Sequence, residues 1–113
     1  MLMKTLSRSE EIILLSILKL GGDAYGVSIR SQIWKDTGDK WSFASIYTPL
    51  DKLSKKGFVK KTKGDPLPER GGKSKFYYRV TPEGKKALIE LYEKHQKVWS
   101  DISHIELEPN RGK

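Results

Sequence analysis

Glycines divide the first half of this chain into three short helical runs, and that punctuation limits the folds open to it more than any other feature. Ser7 and Glu10 have the spacing of a capping box, after which Ile12, Ile13, Leu15, Ser16 and Leu20 recur at helical intervals until Gly21 and Gly22 stop the run. A first helix over about 8–20 is therefore predicted. Asp23 is the expected cap of a second helix, with Val27, Ile29, Ile33 and Trp34 facing inward, Arg30 and Ser31 outward, and Gly38 as its stop. Ser42 caps a third, in which Ile46, Leu50 and Leu53 repeat at four and three residues before Gly57. Pro49 removes one backbone bond inside that helix and should bend it, at about 3 kcal/mol.

The pattern then changes. Residues 58–63 alternate and residues 75–80 are rich in aromatic and branched side chains, which predicts two antiparallel strands joined by a loop over 64–74. Thr81 caps a last helix whose first residue, Pro82, lacks only an amide hydrogen that the helix start leaves unused. The expected order is helix, helix, helix, strand, basic hairpin tip, strand, helix. Trp34 and Trp41 are expected as core and turn residues.

Charge narrows the function. Of a net +8 over 113 residues, a surplus of seven lies between Asp51 and Arg79, where ten bases face three acids. Such a concentration suits a polyanion. The chain has no cysteine, which excludes a disulfide framework and a thiolate metal site. The longest apolar patch near the amino terminus, Ile12 to Leu15, is too short for a signal-peptide core or a membrane span, so a cytoplasmic protein without membrane contact is expected. The two histidines, His95 and His104, have no nucleophile, base or metal-ligand spacing around them, and Gly21-Gly22-Asp23 lacks the ending of a phosphate loop. The expectation is no enzyme, no cofactor and no metal.

Two helices joined by a short turn and followed by a basic hairpin make a helix-turn-helix with a wing. The fold class expected is α+β, mostly helical: a winged helix-turn-helix with a long C-terminal dimerisation helix. The third helix would enter the major groove of double-stranded DNA, presenting Ser42, Ala44, Ser45, Tyr47, Thr48 and Lys52, with Lys55 and Lys56 adding charge. Ser45, Thr48 and Ala44 are short side chains with few bidentate options, so direct readout is expected to be sparse and DNA shape to matter. The wing tip, with Arg70, Lys73 and Lys75 around Gly71 and Gly72, suits phosphates or a minor groove. A winged helix used for protein or RNA contacts is the competing reading. Exposed aromatics for stacking unpaired bases would favour RNA.

Three segments together resemble the PadR-like transcriptional regulators: Tyr25-Gly26, the run SFASIYTPLDKLSKKGFV over 42–59, and RGGKSKFYYRVTPEGKKAL over 70–88. The resemblance covers roughly 6–90. It implies a DNA-binding homodimer, usually a repressor, with a winged-helix domain over 6–81 and a dimerisation helix over 82–106. The rest, 107–113, is expected to be a disordered tail by composition. By the same match Tyr25 opens the second helix of the DNA-binding unit, and Tyr47, Lys52, Lys73 and Lys75 take DNA-backbone roles. Tyr77, Tyr78 and Thr81 take strand and cap roles. One departure is that Thr48 stands between Tyr47 and Pro49, where many members have proline directly after the tyrosine.

From Leu88 onward Leu91, Tyr92, His95, Val98, Trp99, Ile102 and Ile105 step by three and four, like a coiled-coil seam. A domain this small cannot cover such a stripe, so Leu88 to Ile102 are expected to meet a second subunit, as a homodimer reading a palindrome. Trp99 and Tyr92 are the candidate site for a small hydrophobic effector, as some PadR-like proteins are similar in lining a pore at the dimer centre with aromatics. The alternative for Trp99 is a plain dimer-core residue or packing on the first helix. His95 is read as a satisfied interface histidine.

Overall fold

The computed structural model describes residues 5–66 and 74–109. Its elements are α1 (Arg8–Leu20), a 3-10 turn (Gly21–Asp23), α2 (Gly26–Thr37), α3 (Phe43–Lys56), β1 (Val59–Pro66), β2 (Ser74–Val80), α4 (Pro82–Trp99) and a short α5 (His104–Leu107). The three helices pack around Ile13, Leu14, Ile17, Ile29, Ile33, Ile46, Leu50 and Leu53, and the hairpin closes that core with Val59, Tyr78 and Val80.

The capping box forms: the Ser7 amide donates to Glu10 Oε1 (2.8 Å) and the Glu10 amide to Ser7 Oγ (3.1 Å). The buried face of α1 differs from the expected one. Leu14 and Ile17 are inside, Leu15 is 42% exposed and Ile12 only half-buried. Apolar residues run around this helix from Ile12 to Leu18, so periodicity alone does not select a face. Its neighbours do.

In α2 the expected cap also moves. Asp23 lies in the 3-10 turn, and the Tyr25 amide donates to Ser28 Oγ (2.9 Å) at the true helix start. Ile29 and Ile33 are buried as expected, but Val27 is exposed and Trp34 is 50% exposed, with the Lys40 ammonium 5.0 Å from its ring centroid. A narrow stripe of two isoleucines suffices for the contact with α1 and α3, leaving Trp34 on the far side. Arg30, expected outside, is half-buried: its Nε donates to the Trp41 carbonyl (2.6 Å) and its guanidinium lies 4.7 Å over Phe43. Those contacts fix the turn between α2 and α3.

Gly38 and Gly57 end α2 and α3 in the left-handed region, at φ 78° and 81°. Ser42 Oγ accepts from the Ser45 amide (3.2 Å), and α3 runs unbroken through Pro49. The hairpin pairs antiparallel, Val59 with Val80 and Lys63 with Phe76, with an irregularity between Lys63 and Pro66. The first strand thus reaches into the segment predicted as loop. The Tyr78 amide donates to the Ala24 carbonyl (2.8 Å), joining β2 to the chain just before α2.

Thr81 Oγ1 accepts from the Gly84 amide (3.1 Å) and donates to the Gly57 carbonyl (2.7 Å), so the cap of α4 also anchors it to the end of α3. A Cβ at Gly84 would overlap the Phe58 carbonyl, so this close approach requires glycine. The predicted single helix over 82–106 is broken. Ser100 Oγ donates to the Lys97 carbonyl (2.7 Å), competing with the backbone ladder, and Asp101 sits at φ 67°. Ile102 therefore falls in a connector between α4 and α5. Of the expected tail, Leu107 belongs to α5, and residues 110–113 lie outside the described residues.

Candidate nucleic-acid interface

Because Ile46, Leu50 and Leu53 aim α3 inward, helical geometry of roughly 100° per residue decides what it shows to solvent. Ala44, Thr48, Asp51 and Lys55 form the outermost line, flanked by Ser45 and Lys52 on one side and Tyr47 on the other; all are exposed. Asp51 was missed as a site residue in the sequence, although its step of seven from Ala44 follows the same period that identified the core.

Ser42 and Ser45 are exposed yet partly committed, since their hydroxyls lie 2.9 Å apart while Ser42 caps the helix. Tyr47 stacks on Phe43 (centroids 6.3 Å apart, 23° between planes), which is itself covered by Arg30. A Cβ at Gly26 would overlap the Tyr47 hydroxyl, so the phenol rests directly on the first turn of α2. Arg30 and Phe43 carry this flank of the site, and neither stands out in a search for charged runs.

The wing meets that flank. Tyr25 is edge-on to Tyr77 (5.8 Å between centroids), and the Lys75 ammonium lies 4.1 Å from the Tyr25 ring centroid. The Lys61 ammonium lies 4.3 Å from the Phe76 ring centroid. Tyr25, Gly26, Val27, Tyr47, Asp51, Lys61, Lys75, Phe76 and Tyr78 thus line one open groove of about 370 Å³ between α2, α3 and the hairpin. Burial, with Tyr47 and Asp51 nearby, raises the Tyr78 phenol above its ordinary value, so it stays protonated and neutral at the groove floor. Tyr25, Tyr47 and Lys75 are therefore gathered together. Arg70 and Lys73 lie outside the described residues.

Lys52, Lys55, Lys61 and Lys75 have no carboxylate partner among the described residues, whereas Lys56 has one: its ammonium bridges both Glu10 oxygens (2.9 and 2.8 Å) and the Thr5 carbonyl (2.8 Å). Lys56 is thereby drawn to the α1 side, away from the outer line of α3. The expected pool of backbone charge on this helix loses one member to structure.

On α4, Leu88 is buried in the chain's own core, Leu91 is half-buried, and Tyr92, Val98 and Trp99 are 62%, 77% and 59% exposed. His95 Nε2 lies 3.3 Å from Glu11 Oε2 on α1, so this histidine has an intrachain neighbour. Tyr92 Oη accepts from Gln96 Nε2 (3.0 Å). A separate groove of about 520 Å³ lies beside Ile17, Leu18, Tyr77, Arg79 and Lys85. No group of three His, Cys, Asp or Glu among the described residues could hold a metal, and no helix there is long and apolar enough to cross a membrane.

Comparison with known proteins bears on the family and the fold. The model of the transcriptional regulator PadR-like family matches residues 14–90. The chain is 35% identical over 98 residues to an uncharacterised protein X of Lysinibacillus sphaericus, covering 85% of this chain and 82% of that one. Among solved structures it is similar to a PadR family transcription regulator from hypervirulent Clostridium difficile, at 23% identity and TM-score 0.64, covering 88% of this chain and 98% of that one. A winged-helix DNA-binding protein from STIV matches at 22% identity and TM-score 0.66, covering 87% and 98%. At such identities the two structures speak for the fold.

Proposed function

Since the chain belongs to the PadR-like family of transcriptional regulators, we propose that it binds double-stranded DNA sequence-specifically as a homodimeric repressor, released by a small apolar aromatic ligand. One observation carries the DNA reading. The outer face of α3 has short side chains at Ala44, Ser45 and Thr48, and is bordered by four exposed or half-exposed lysines, Lys52, Lys55, Lys61 and Lys75, without carboxylate partners among the described residues. Short side chains let a helix lie deep in a major groove while the lysines reach phosphate on either side. Tyr25, Ser42 and Tyr47 support the helix start and its flank, and Arg70 and Lys73 extend the grip at the wing tip.

The dimer reading rests on α4 and the connector to α5. Tyr92, Val98, Trp99 and Ile102 are large apolar side chains left exposed within eleven residues of one another, the kind of surface that a partner covers. A second copy would cover Leu91, Tyr92, His95, Val98, Trp99 and Ile102, whereas Leu88, expected in the same seam, is taken up by the chain's own core. An effector between Trp99 and Tyr92 would then be enclosed by both copies.

The test is a gel-shift series with duplex DNA from upstream of the protein's own gene at rising salt. A log-log slope of several units, about 0.9 per phosphate neutralised, together with preference over random duplex, is the expected result. Equal binding to random duplex and to single strands would overturn it in favour of an RNA or protein partner. For the effector, quenching by planar aromatic compounds should be present in the wild type and lost in Trp99→Phe.

A further inference from the structure

The first two turns of α3 restrict how bases could be read. None of Ser42, Ala44, Ser45 and Thr48 can make the bidentate contacts by which Arg, Asn or Gln identify guanine or adenine. Ser42 and Ser45 are occupied with each other and with the helix cap, and Tyr47 is held to the flank by Phe43 and by its rest on Gly26. What remains on the outermost line, within about 30° of the direction opposite the buried stripe, is Ala44 and Thr48, one turn apart. They present two methyl groups and one hydroxyl without a partner among the described residues. In the major groove, the base-edge feature that a methyl group recognises is the thymine 5-methyl.

Resting on the DNA-binding reading above, we infer that this chain selects its site through thymine methyls, contacted by the Ala44 Cβ and the Thr48 γ-methyl. The lysines beside this line carry affinity, and the methyls carry the sequence. The chemistry distinguishes this from readout of shape, because replacing thymine by uracil removes the methyl and leaves every hydrogen-bonding group in place.

The experiment begins with duplexes that the full chain selects from a randomised pool. An invariant thymine should appear at the position facing α3. Replacing it by deoxyuridine should weaken wild-type binding about fourfold per methyl, the effect of one buried methyl group. Thr48→Ser, which keeps the hydroxyl and removes the methyl, should bind the thymine and uracil duplexes alike at that position, whereas Thr48→Val should keep the preference. An equal uracil penalty in wild type and Thr48→Ser, or no thymine in the selected pool, would overturn the inference while a steep salt dependence left the DNA-binding reading intact. Failure to bind any duplex would overturn both.

Discussion

Glu10 has little access to water yet remains ionised. Burial alone pushes its carboxyl upward, but the Lys56 ammonium with the Ser7 amide and hydroxyl outweighs burial and holds it below the ordinary value of 4.5. A carboxylate with a lowered folded value adds stability above its unfolded value, and that stability is lost as pH falls through the folded one. Stability should therefore fall below pH 4.5 in the wild type, and Glu10→Gln should flatten that dependence while costing about 2 kcal/mol at neutral pH. Urea denaturation at a series of pH values checks it; parallel curves would exclude the role. Two glycines make a contrasting pair. At Gly84 an added methyl meets the Phe58 backbone, so Gly84→Ala should destabilise by about 1–3 kcal/mol. At Gly26 it meets only the end of the Tyr47 side chain, so Gly26→Ala should leave the melting temperature nearly unchanged and weaken DNA binding by displacing the phenol.

The elements differ in how well their sequences announced them. In α3 a serine cap, a glycine stop and three apolar residues at helical spacing agree, so both its bounds and its buried face were legible from Ser42 to Gly57. In α1 the apolar residues encircle the helix, and only packing against α2 and α3 selects Leu14 and Ile17 over Leu15. The end of α4 was illegible for another reason: apolar residues continue to Ile105 at helical steps, while the break depends on one serine hydroxyl and a left-handed Asp101. The groove between α2 and the wing could not be read at all, since residues about fifty positions apart, such as Tyr25 and Lys75, meet only in the folded chain. At this scale Lys61→Ala and Lys75→Ala should weaken specific and random duplex binding alike, each lowering the salt slope by about one. Loss confined to one operator sequence would show that these lysines read bases.

For the molecule as a whole the exposed carboxy-terminal face is decisive. Trp99→Glu or Ile102→Glu should convert a dimer to monomers in sedimentation with the far-ultraviolet circular dichroism unchanged, because both side chains are largely outside the chain's own core. A dimer that survives either change would place the subunit contact elsewhere. The bond from the Tyr78 amide to the Ala24 carbonyl has a consequence for motion. It ties the hairpin to the lead-in of α2, beside buried Val59 and Val80, so the inner hairpin cannot swing free without opening the core. In deuterated buffer the Tyr78 amide proton should exchange only on the timescale of global unfolding, while amides toward Lys63 exchange through small local openings. The hairpin would then respond to its target by bending at its outer end, its inner end staying fixed.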